Sequence, residues 1–323
     1  MPSHSSPQRR LGPQGVKISA LLARWGPGLR RDDGLSADDG ELDRIPAPSE
    51  SGGMARGSKA KSGKKGGLAE TTRFLLLFFL FAILLRTFVV APFVIPSGSM
   101  MPELRIGDYL FVAKWPYGYS RYSIPFGLAS FGGRIWASEP KRGDVVVFRY
   151  PGEDEDYVKR LIGLPGDSVQ MRSGQLFLNG KPVPKVRIAD WLMPVTPNSP
   201  CRYAGQIQPP AIEAGKPVCR YPRFRETLPG GRSFEVLDQV EGPADDTPVF
   251  AVPAGHYFMM GDNRDDSADS RFSLEQKGVG LLPSDHVIGR AQIAFYSTDG
   301  SAQWAKPWTW VSAARWERVG RTF

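Results

Sequence analysis

The sequence predicts a mostly β domain that follows one N-terminal membrane-spanning helix. Two observations support this fold class: an almost continuous apolar run extends from Phe74 to Ala91, and the chain after it consists of short β-type runs separated by Gly, Pro, Asp and Asn. With 323 residues, of which 41% are hydrophobic, the chain is long enough for one large or two ordinary domains with a core. No long amphipathic pattern and no internal repeat competes with this prediction.

Residues 1–67 are rich in Gly, Ser, Pro, Arg and Asp and show little periodicity, which predicts a disordered tail. Met54 opens a basic stretch just before the apolar run, so one hypothesis is that translation begins there. The basic residues of this stretch suit anionic lipid headgroups, and they account for part of the net charge of +8. They are Arg56, Lys59, Lys61, Lys64 and Lys65.

The apolar run is predicted to be a transmembrane anchor over residues 68–91. Its main part, Phe74 to Ala91, would span roughly 27 Å as a helix, close to the hydrocarbon thickness of a bilayer. Arg86 lies near one end, where its charge can reach the headgroups. A buried core helix is the alternative. A cleaved signal peptide fits less well, because the run begins far from residue 1 and no small-residue cleavage site follows it.

The charges on either side of the anchor predict its orientation. Residues 55–73 carry six Lys or Arg, whereas residues 92–111 carry one. The positive-inside rule therefore places the tail in the cytoplasm and residues 92–323 on the extracytoplasmic side. We expect a single-pass protein of the cytoplasmic (inner) membrane whose main domain faces the periplasm.

Seven short runs in residues 92–323 are expected to be strands, because they combine β-branched and aromatic residues with turn residues at their ends. The segment Leu178–Lys181 contains Asn-Gly, which is a hairpin signal. Between about 179 and 250 the chain is Pro-rich and poorly periodic, which predicts an inserted, loop-rich subdomain. The seven runs are Tyr109–Ala113, Asp144–Phe148, Tyr157–Ile162, Ser168–Met171, Gln175–Leu178, His256–Met260 and Arg290–Tyr296.

The cysteines and histidines favour a disulfide over a metal site. An oxidising compartment permits a Cys201–Cys219 disulfide, and such a loop would be stabilised by about 3 kcal/mol. Two free thiols remain the alternative. His4, His256 and His286 show no metal-ligand spacing with the cysteines, so we expect no metal and no cofactor. Nucleic-acid binding would rest on net charge alone, because no such motif is present.

Ser99 is a candidate nucleophile because it lies in Pro96-Ser97-Gly98-Ser99-Met100, directly after the anchor. A serine in a turn that contains Pro and Gly is usually only a turn residue. Here Gly98 lets the backbone approach a substrate, and the turn can offer a hydroxyl and a backbone N–H to an oxyanion.

A serine nucleophile needs a base, and a desolvated lysine can supply one. The histidines lie in contexts without a catalytic motif. Lys159 lies among Tyr157, Val158, Leu161 and Ile162, an apolar setting that favours the neutral amine. Its neighbour Arg160 also has apolar residues on its own face, so strand alternation alone does not choose between the two cations. Either one could equally be a surface cation of a strand.

Four segments, in this order behind an anchor, resemble the bacterial type I signal peptidases, a family of Ser/Lys proteases. The family carries a nucleophile motif, a Gly-Asp strand, a lysine motif ending in Gly-x-Pro-Gly-Asp, and a final Gly-Asp-Asn-Arg stretch. The resemblance extends from residue 74 to about 296. The matching segments are Pro96–Pro102, Gly143–Phe148, Tyr157–Asp167 and Gly261–Arg271.

The resemblance implies a signal-peptidase-like β fold and a role for each matching residue. Ser99 would be the nucleophile and Lys159 the general base. The Ser97 hydroxyl and the Ser99 backbone N–H would form the oxyanion hole, and Ser267 would orient the lysine amine. Four further residues of the last motif would be structural, with an ion pair between the last two: Asp262, Arg264, Asp269 and Arg271. Many members have Asn at the position of Asp266, and we expect little effect on the chemistry.

The resemblance also implies the substrates and the surfaces that meet them. The enzyme would remove signal peptides from secreted preproteins, cutting after small residues at the −1 and −3 positions. An extended substrate would add as a strand to a sheet edge. The residues expected to line the pockets, each of which could also be ordinary core, are Phe93, Ile95, Met100, Leu104, Tyr157 and Val158. Four tryptophans could lie in the lipid interface or pack internally: Trp304, Trp308, Trp310 and Trp316.

Three other functions compete with this one. A specialised peptidase, such as one that matures a pilin, would share the same dyad. A self-cleaving repressor-type Ser/Lys protease would not need the anchor. An inactive, membrane-tethered β domain that binds secretion partners would not need Ser99, Lys159 and Ser267 to be intact.

Overall fold

The computed structural model describes residues 67–124, 131–203 and 205–323. The chain divides into two compact units, residues 1–78 and 79–323, and every sheet described below lies in the second. The expected disordered tail (apart from Gly67), the possible start at Met54 and the basic cluster within residues 56–65 lie outside the described residues.

An apolar helix opens the described chain. Helix α1 comprises Gly67–Leu84, and a π-helical turn, Leu85–Val89, continues it. The segment Ala69–Val89 is long and apolar enough to cross a membrane, with a mean hydropathy of 2.0, and only 6% of it is buried. A core helix would be mostly buried, so the exposure favours the anchor. The helical part ends two residues before the predicted end of the anchor, because Pro92 disfavours helical backbone at the residue before it.

A seven-stranded antiparallel sheet forms the framework of the second unit. Its strand order is β1-β2-β19-β5-β6-β17-β18, so strands far apart in sequence become neighbours. The strands β5, β6 and β19 correspond to runs that the sequence predicts as strands, as do β2 and β17. The bounds are β1 Val90–Val94, β2 Asp108–Ala113, β5 Val145–Arg149, β6 Asp156–Gly163, β17 His256–Met260, β18 Leu282–Pro283 and β19 Val287–Ser297.

A second sheet, in the order β16-β7-β8-β9, packs on a separate apolar cluster. Its strands β8 and β9 meet at Asn179 and Gly180, which have φ values of 53° and 73°. Such positive φ values at both central positions are what a tight hairpin turn requires, in agreement with the predicted hairpin. The bounds are β7 Ser168–Arg172, β8 Gln175–Leu178, β9 Lys181–Pro182 and β16 Phe250–Ala251, and a separate pair consists of β3 Tyr119–Ser120 and β4 Arg134–Ile135.

The region from 179 to 250 contains two long strands that the sequence pattern did not predict. Strands β10 and β14 pair along most of their length, and β13 and β15 pair with β14. Pro222 obscures the pattern, but it lies where the register shifts between Ile188 and Trp191, so the missing N–H is tolerated there. The bounds are β10 Lys185–Pro194, β11 Arg202–Tyr203, β12 Gln206–Ile207, β13 Ala211–Glu213, β14 Lys216–Thr227 and β15 Ser233–Leu237, and a short helix near the C-terminus is α2 Trp308–Ser312.

Two buried clusters lie next to the Ser99 segment. The first, here called the pocket cluster, includes residues of β2, β5 and β19 of the main sheet and consists of Ile95, Met100, Leu104, Leu110, Val112, Val145, Val147, Ile288, Ala291 and Ala294. The second, here called the disulfide cluster, consists of Met101, Trp191, Met193, Cys201, Cys219, Tyr221 and Leu237. The neighbouring residues Met100 and Met101 therefore belong to different clusters. Their packing attaches the loop that carries Ser99 to both clusters.

Candidate active site

The loop that carries Ser99 leaves the edge strand β1 as a tight turn. Ile95 continues the pairing beyond β1, since its N–H donates to Asp108 O (2.8 Å), and the Met101 N–H closes the turn on Gly98 O (3.0 Å). Gly98 lies close to Met101, since a Cβ at Gly98 would lie 2.8 Å from Met101 Cε and the end of that side chain would have to shift. Ser99 is buried and Ser97 is exposed.

Asn263 attaches the last motif to this loop. Its backbone N–H donates to Ser99 O (3.0 Å), and its side-chain Nδ2 donates to Gly98 O (3.1 Å). Gln239 Nε2 in turn donates to Asn263 Oδ1 (2.7 Å). The sequence analysis quoted Asn263 as part of a motif but gave it no role. The Gly-Asp-Asn-Arg stretch was the available signal, and only the fold reveals which backbone atoms the asparagine binds.

Lys159 lies beside Ser99, with 2.5 Å between Lys159 Nζ and Ser99 Oγ. Strand β6 brings it there from sixty residues away, and its side chain is buried. Burial lowers the pKa of the Lys159 ammonium to about 8, although Asp269, Asp266 and Asp262 act to raise it. A neutral amine in this position can accept the Ser99 proton, whereas an ammonium can only donate to the oxygen.

Arg160 occupies a different environment from Lys159. This difference distinguishes the two cations, between which strand alternation could not choose. Its Nε and Nη2 donate to Asp262 Oδ1 and Oδ2 (2.7 and 2.6 Å), and its Nη1 donates to Gly143 O (2.8 Å). All three bonds use a charged guanidinium, so Arg160 is a structural cation and Lys159 is the one next to the serine.

Ser97 lies next to Ser99, as expected for an oxyanion residue, whereas Ser267 does not make the hydrogen bond expected of it. Ser97 Oγ lies 3.5 Å from Ser99 Oγ, on the exposed side of the turn. Ser267 Oγ, by contrast, is buried and makes no hydrogen bond within the described residues, so the expected bond to the Lys159 amine is not formed. The amine faces Ser99 instead. Gly261 lies between Ser267 and the Ser99 backbone, since a Cβ at Gly261 would lie 2.2 Å from Ser267 Oγ and 2.5 Å from Ser99 O.

The four residues expected to be structural each take part in a buried ion pair. Arg271 Nε and Nη2 donate to Asp269 Oδ1 and Oδ2, both at 2.9 Å. Arg264 binds both carboxylate oxygens of Glu226 (2.7 and 2.5 Å), a partner on β14 that the sequence did not suggest. Although burial acts to raise the pKa of Asp269, the Arg271 charge and the hydrogen bonds hold it below its usual value.

Five of the six expected pocket residues gather in one place. Ile95, Met100 and Leu104 belong to the pocket cluster, and Phe93 and Val158 pack against it. Two residues without a predicted role, Tyr122 and Phe323, also pack against this cluster. Tyr157 does not join them. It stacks on Tyr150 with 4.6 Å between ring centroids, because it projects from β6 on the side opposite to Val158.

Known proteins share this combination of segments. The family described as signal peptidase, peptidase S26, matches residues 68–296. The chain belongs to this family. Signal peptidase I of Rickettsia canadensis (strain McKiel) is 38% identical over 227 residues, which cover 67% of this chain and 76% of the relative. Signal peptidase I of Rickettsia prowazekii (strain Madrid E) is 37% identical with the same coverage. The chain is therefore a serine peptidase.

A solved signal peptidase I from Enterococcus faecalis V583 is 25% identical and covers 47% of this chain and 97% of its own. Its TM-score of 0.24 is too low for a detailed comparison of the two folds.

The disulfide of the peptidase lies in the disulfide cluster, next to the loop that carries Ser99. Cys201 and Cys219 are bonded, with 5.1 Å between their Cα atoms. The bond belongs to the same cluster as Met101, which is two residues from Ser99. The cysteine pair therefore packs in the same cluster as a residue of the loop that carries Ser99.

One group of carboxylates in the described residues has metal-like spacing. Oxygens of Asp238, Asp245 and Asp265 lie within 4.8 Å of one another, at the edge of a cleft of about 470 Å³. Lys185 Nζ pairs with Asp238 and also donates to Gly174 O (2.7 Å), so part of the negative charge is already balanced. Acidic groups alone do not define a metal site.

Proposed function

We propose that this peptidase is membrane-bound and removes signal peptides from exported preproteins, cutting after small residues at the −1 and −3 positions. The contact between Lys159 Nζ and Ser99 Oγ carries the proposal, because it joins a hydroxyl to a buried amine that loses its proton near neutral pH.

In the proposed reaction, Ser99 Oγ transfers its proton to the neutral Lys159 amine and attacks the scissile carbonyl carbon. The oxyanion of the tetrahedral intermediate accepts hydrogen bonds from the Ser97 hydroxyl and the Ser99 backbone N–H. The Lys159 ammonium then gives its proton to the departing amine, leaving an acyl-enzyme. Water attacks the ester carbonyl with Lys159 again as base, which restores Ser99. Ser267 has a buried hydroxyl free to orient the amine once substrate engages Ser99.

Selectivity for small residues follows from the pocket cluster. Ile95, Met100 and Leu104 are fully or almost fully buried, whereas Phe93 and Val158, which pack against the same cluster, are only partly buried and offer the apolar surface that a small side chain could contact. A substrate strand lying along the edge strand β1 would direct alternate side chains toward this surface. That alternation is the physical reason to expect two selected positions, −1 and −3, separated by one residue.

The membrane part of the proposal rests on exposed apolar surface. The side chains of helix α1 are almost all exposed, and so are Trp304, Trp308, Trp310 and Trp316. The indole N–H groups of Trp310 and Trp316 already donate to Gln303 O and Val311 O (3.0 and 3.2 Å). Because no indole donor of these two is left unpaired, their rings can enter lipid without losing a hydrogen bond to water. We infer that these tryptophans lie in the lipid interface, with the tail in the cytoplasm and the catalytic domain outside.

The first experiment incubates detergent-solubilised full-length enzyme with a preprotein that has an Ala-x-Ala site. We expect cleavage after the final Ala by the wild type and none by Ser99→Ala or Lys159→Met. Lys114→Met is the matched control, because burial also lowers the pKa of Lys114 to about 8 but its Nζ donates to Ser123 O. Full turnover by Lys159→Met would show that the base is misassigned.

The second experiment separates a peptidase from an inactive binding domain. A penem or lipopeptide acylating agent should label Ser99 of the wild type and leave Ser99→Ala unlabelled, which mass spectrometry of the modified peptide detects. Labelling without cleavage of a general preprotein would point to a specialised peptidase. Folded enzyme that is neither labelled nor active would contradict the proposed function.

A further inference from the structure

Asp266 lies between the nucleophile loop and the disulfide region. Its Oδ2 would be 3.7 Å from a Cβ at Gly98, the residue before Ser99, and its Oδ1 would be 3.4 Å from a Cβ at Gly205. The carboxylate is partly buried, and within the described residues it accepts no hydrogen bond. It is therefore a negative charge held close to the dyad by the fold and not fully compensated.

The Asp266 charge acts on the catalytic base. Its field acts to raise the pKa of Lys159, against the dominant effect of burial. Burial raises the pKa of Asp266, and the Arg202 and Lys159 charges act in turn to lower it. The geometry and the electrostatics therefore agree that the two side chains are coupled. An Asn at this position would leave the packing similar and remove that coupling.

Other charged groups face Lys159, but each has a strong partner. Asp269 accepts two hydrogen bonds, from Nε and Nη2 of Arg271, and Asp262 accepts two from the same atoms of Arg160. Arg271 is itself among the charges that lower the Lys159 pKa. Because a bidentate partner cancels much of a carboxylate's field, Asp266 is the acid near the base whose charge is most easily adjusted.

Arg202 is the cation placed to adjust it. Its Nε lies 4.0 Å from Asp266 Oδ2, and its Nη2 donates to Gly205 O (3.1 Å). The residue follows Cys201 directly, and its backbone N–H donates to the hydroxyl of Tyr221, a member of the disulfide cluster (2.9 Å). The guanidinium is thus held beside Asp266 by the segment that the disulfide ties down.

We propose that Asp266 and Arg202 form a charge pair that sets the pH at which the Ser99–Lys159 dyad becomes active. Asp266 favours the ammonium form of Lys159, and Arg202 offsets part of that effect. The pair thereby acts on the reaction by changing the protonation of Lys159, and neither residue touches the substrate. The inference rests on the proposed function, and it revises the expectation that Asp266 has little effect.

The test is the pH profile of kcat/KM for preprotein cleavage by the full-length enzyme in detergent. We expect Asp266→Asn to move the ascending midpoint down by about half a pH unit, which raises kcat/KM at pH 7 about threefold relative to the plateau. Arg202→Gln should move the midpoint up. In the double variant the Arg202 change should have a smaller effect, because its partner is gone.

Two matched variants control for charge alone. Asp265→Asn removes the neighbouring carboxylate, which instead accepts from the Gln239 and Val240 backbone N–H groups. Arg220→Gln removes the guanidinium that follows Cys219 and pairs with Asp190 and Glu213. Both should leave the midpoint unchanged. Equal shifts in these controls, or a fall in kcat without a shift for Asp266→Asn, would overturn the proposal in favour of a general or merely structural effect.

A measurement without substrate separates this inference from the proposed function. The ¹³Cε chemical shift of Lys159, assigned with Lys159→Arg, gives the titration midpoint of the amine directly. A shift of that midpoint in Asp266→Asn and Arg202→Gln, in opposite directions, supports the charge pair even if no preprotein is cleaved. Identical midpoints in all three proteins would refute it even if the enzyme is active.

Discussion

Removing the carboxylate of Asp262 should destabilise the catalytic domain far more than removing an exposed one. In the wild type Arg160 is buried and its charge is met by Asp262 through two hydrogen bonds of 2.7 and 2.6 Å. Asp262→Asn leaves a buried guanidinium without a counter-charge, which costs about 3–5 kcal/mol. For a unit of this size that corresponds to a fall of roughly 10 °C in the thermal midpoint. Urea or thermal denaturation of the detergent-solubilised enzyme, followed by near-UV circular dichroism, measures the loss.

The surface pair Arg149–Asp154 provides the matched control. The Asp154 side chain is 95% exposed, so Asp154→Asn should change the free energy of unfolding by less than about 1 kcal/mol. A third variant removes both buried charges, Arg160→Leu with Asp262→Leu, and should be less destabilised than Asp262→Asn because no charge is left unpaired. Equal losses for Asp262→Asn and Asp154→Asn would refute the reasoning, since burial would then make no difference to the cost of removing the carboxylate.

Three further predictions concern the base, the disulfide and the loop. Because the proposed base is the neutral Lys159 amine, and burial lowers the pKa of Lys159 to about 8, kcat/KM should rise as pH increases through about 8, with roughly a tenth of the plateau left at pH 7; a profile flat from pH 6 to 9 would contradict this. Replacing Cys201 and Cys219 by Ala should lower the free energy of unfolding by about 3 kcal/mol in urea denaturation, and equal stability would show that the loop is not entropically constrained. Asn263→Ala should lower kcat by roughly 10- to 100-fold with a smaller change in KM, because the loop loses the side-chain bond from Asn263 Nδ2 to Gly98 O and keeps only the backbone bond to Ser99 O; steady-state kinetics with unchanged kcat would argue against that role.

The fold was predictable where the local pattern and the tertiary environment agree. Strand β6 and strand β19 are rich in β-branched and aromatic residues and have turn residues at their ends, so their runs stand out in the sequence. The long strands β10 and β14 do not, because their exposed faces carry Arg, Lys and Pro, and the bulge that accommodates Pro222 is a property of two strands together. Periodicity in one segment contains no information about a register shift in its partner.

The site shows the same division. Ser99 and Lys159 stand out as candidates because their segments are short and distinctive, but the role of Arg160 could not be read from alternation. Its assignment depends on Asp262, which the fold brings to it from about one hundred residues away. The partner of Arg264 was hidden for the same reason, since Glu226 lies on a strand that no pattern predicted. Long-range ion pairs are invisible to a reading of neighbouring residues.

The buried ion pairs explain how a loop and a strand from distant parts of the chain stay within hydrogen-bond distance. Such pairs contribute little net stability, since the desolvation of two charges offsets their attraction, but any packing that separates the partners leaves a buried charge alone. Arg160–Asp262 holds the last motif against β6 and Arg264–Glu226 holds it against β14, whereas Arg271–Asp269 fixes the conformation within the motif itself. Asn263, in the same motif, then holds the Ser99 loop in place by hydrogen bonds to the backbone oxygens of Gly98 and Ser99. The ionic framework therefore restricts the geometry of the dyad rather than strengthening the fold, and this is why a lysine with no hydrogen bond to Ser267 is nevertheless held 2.5 Å from its serine.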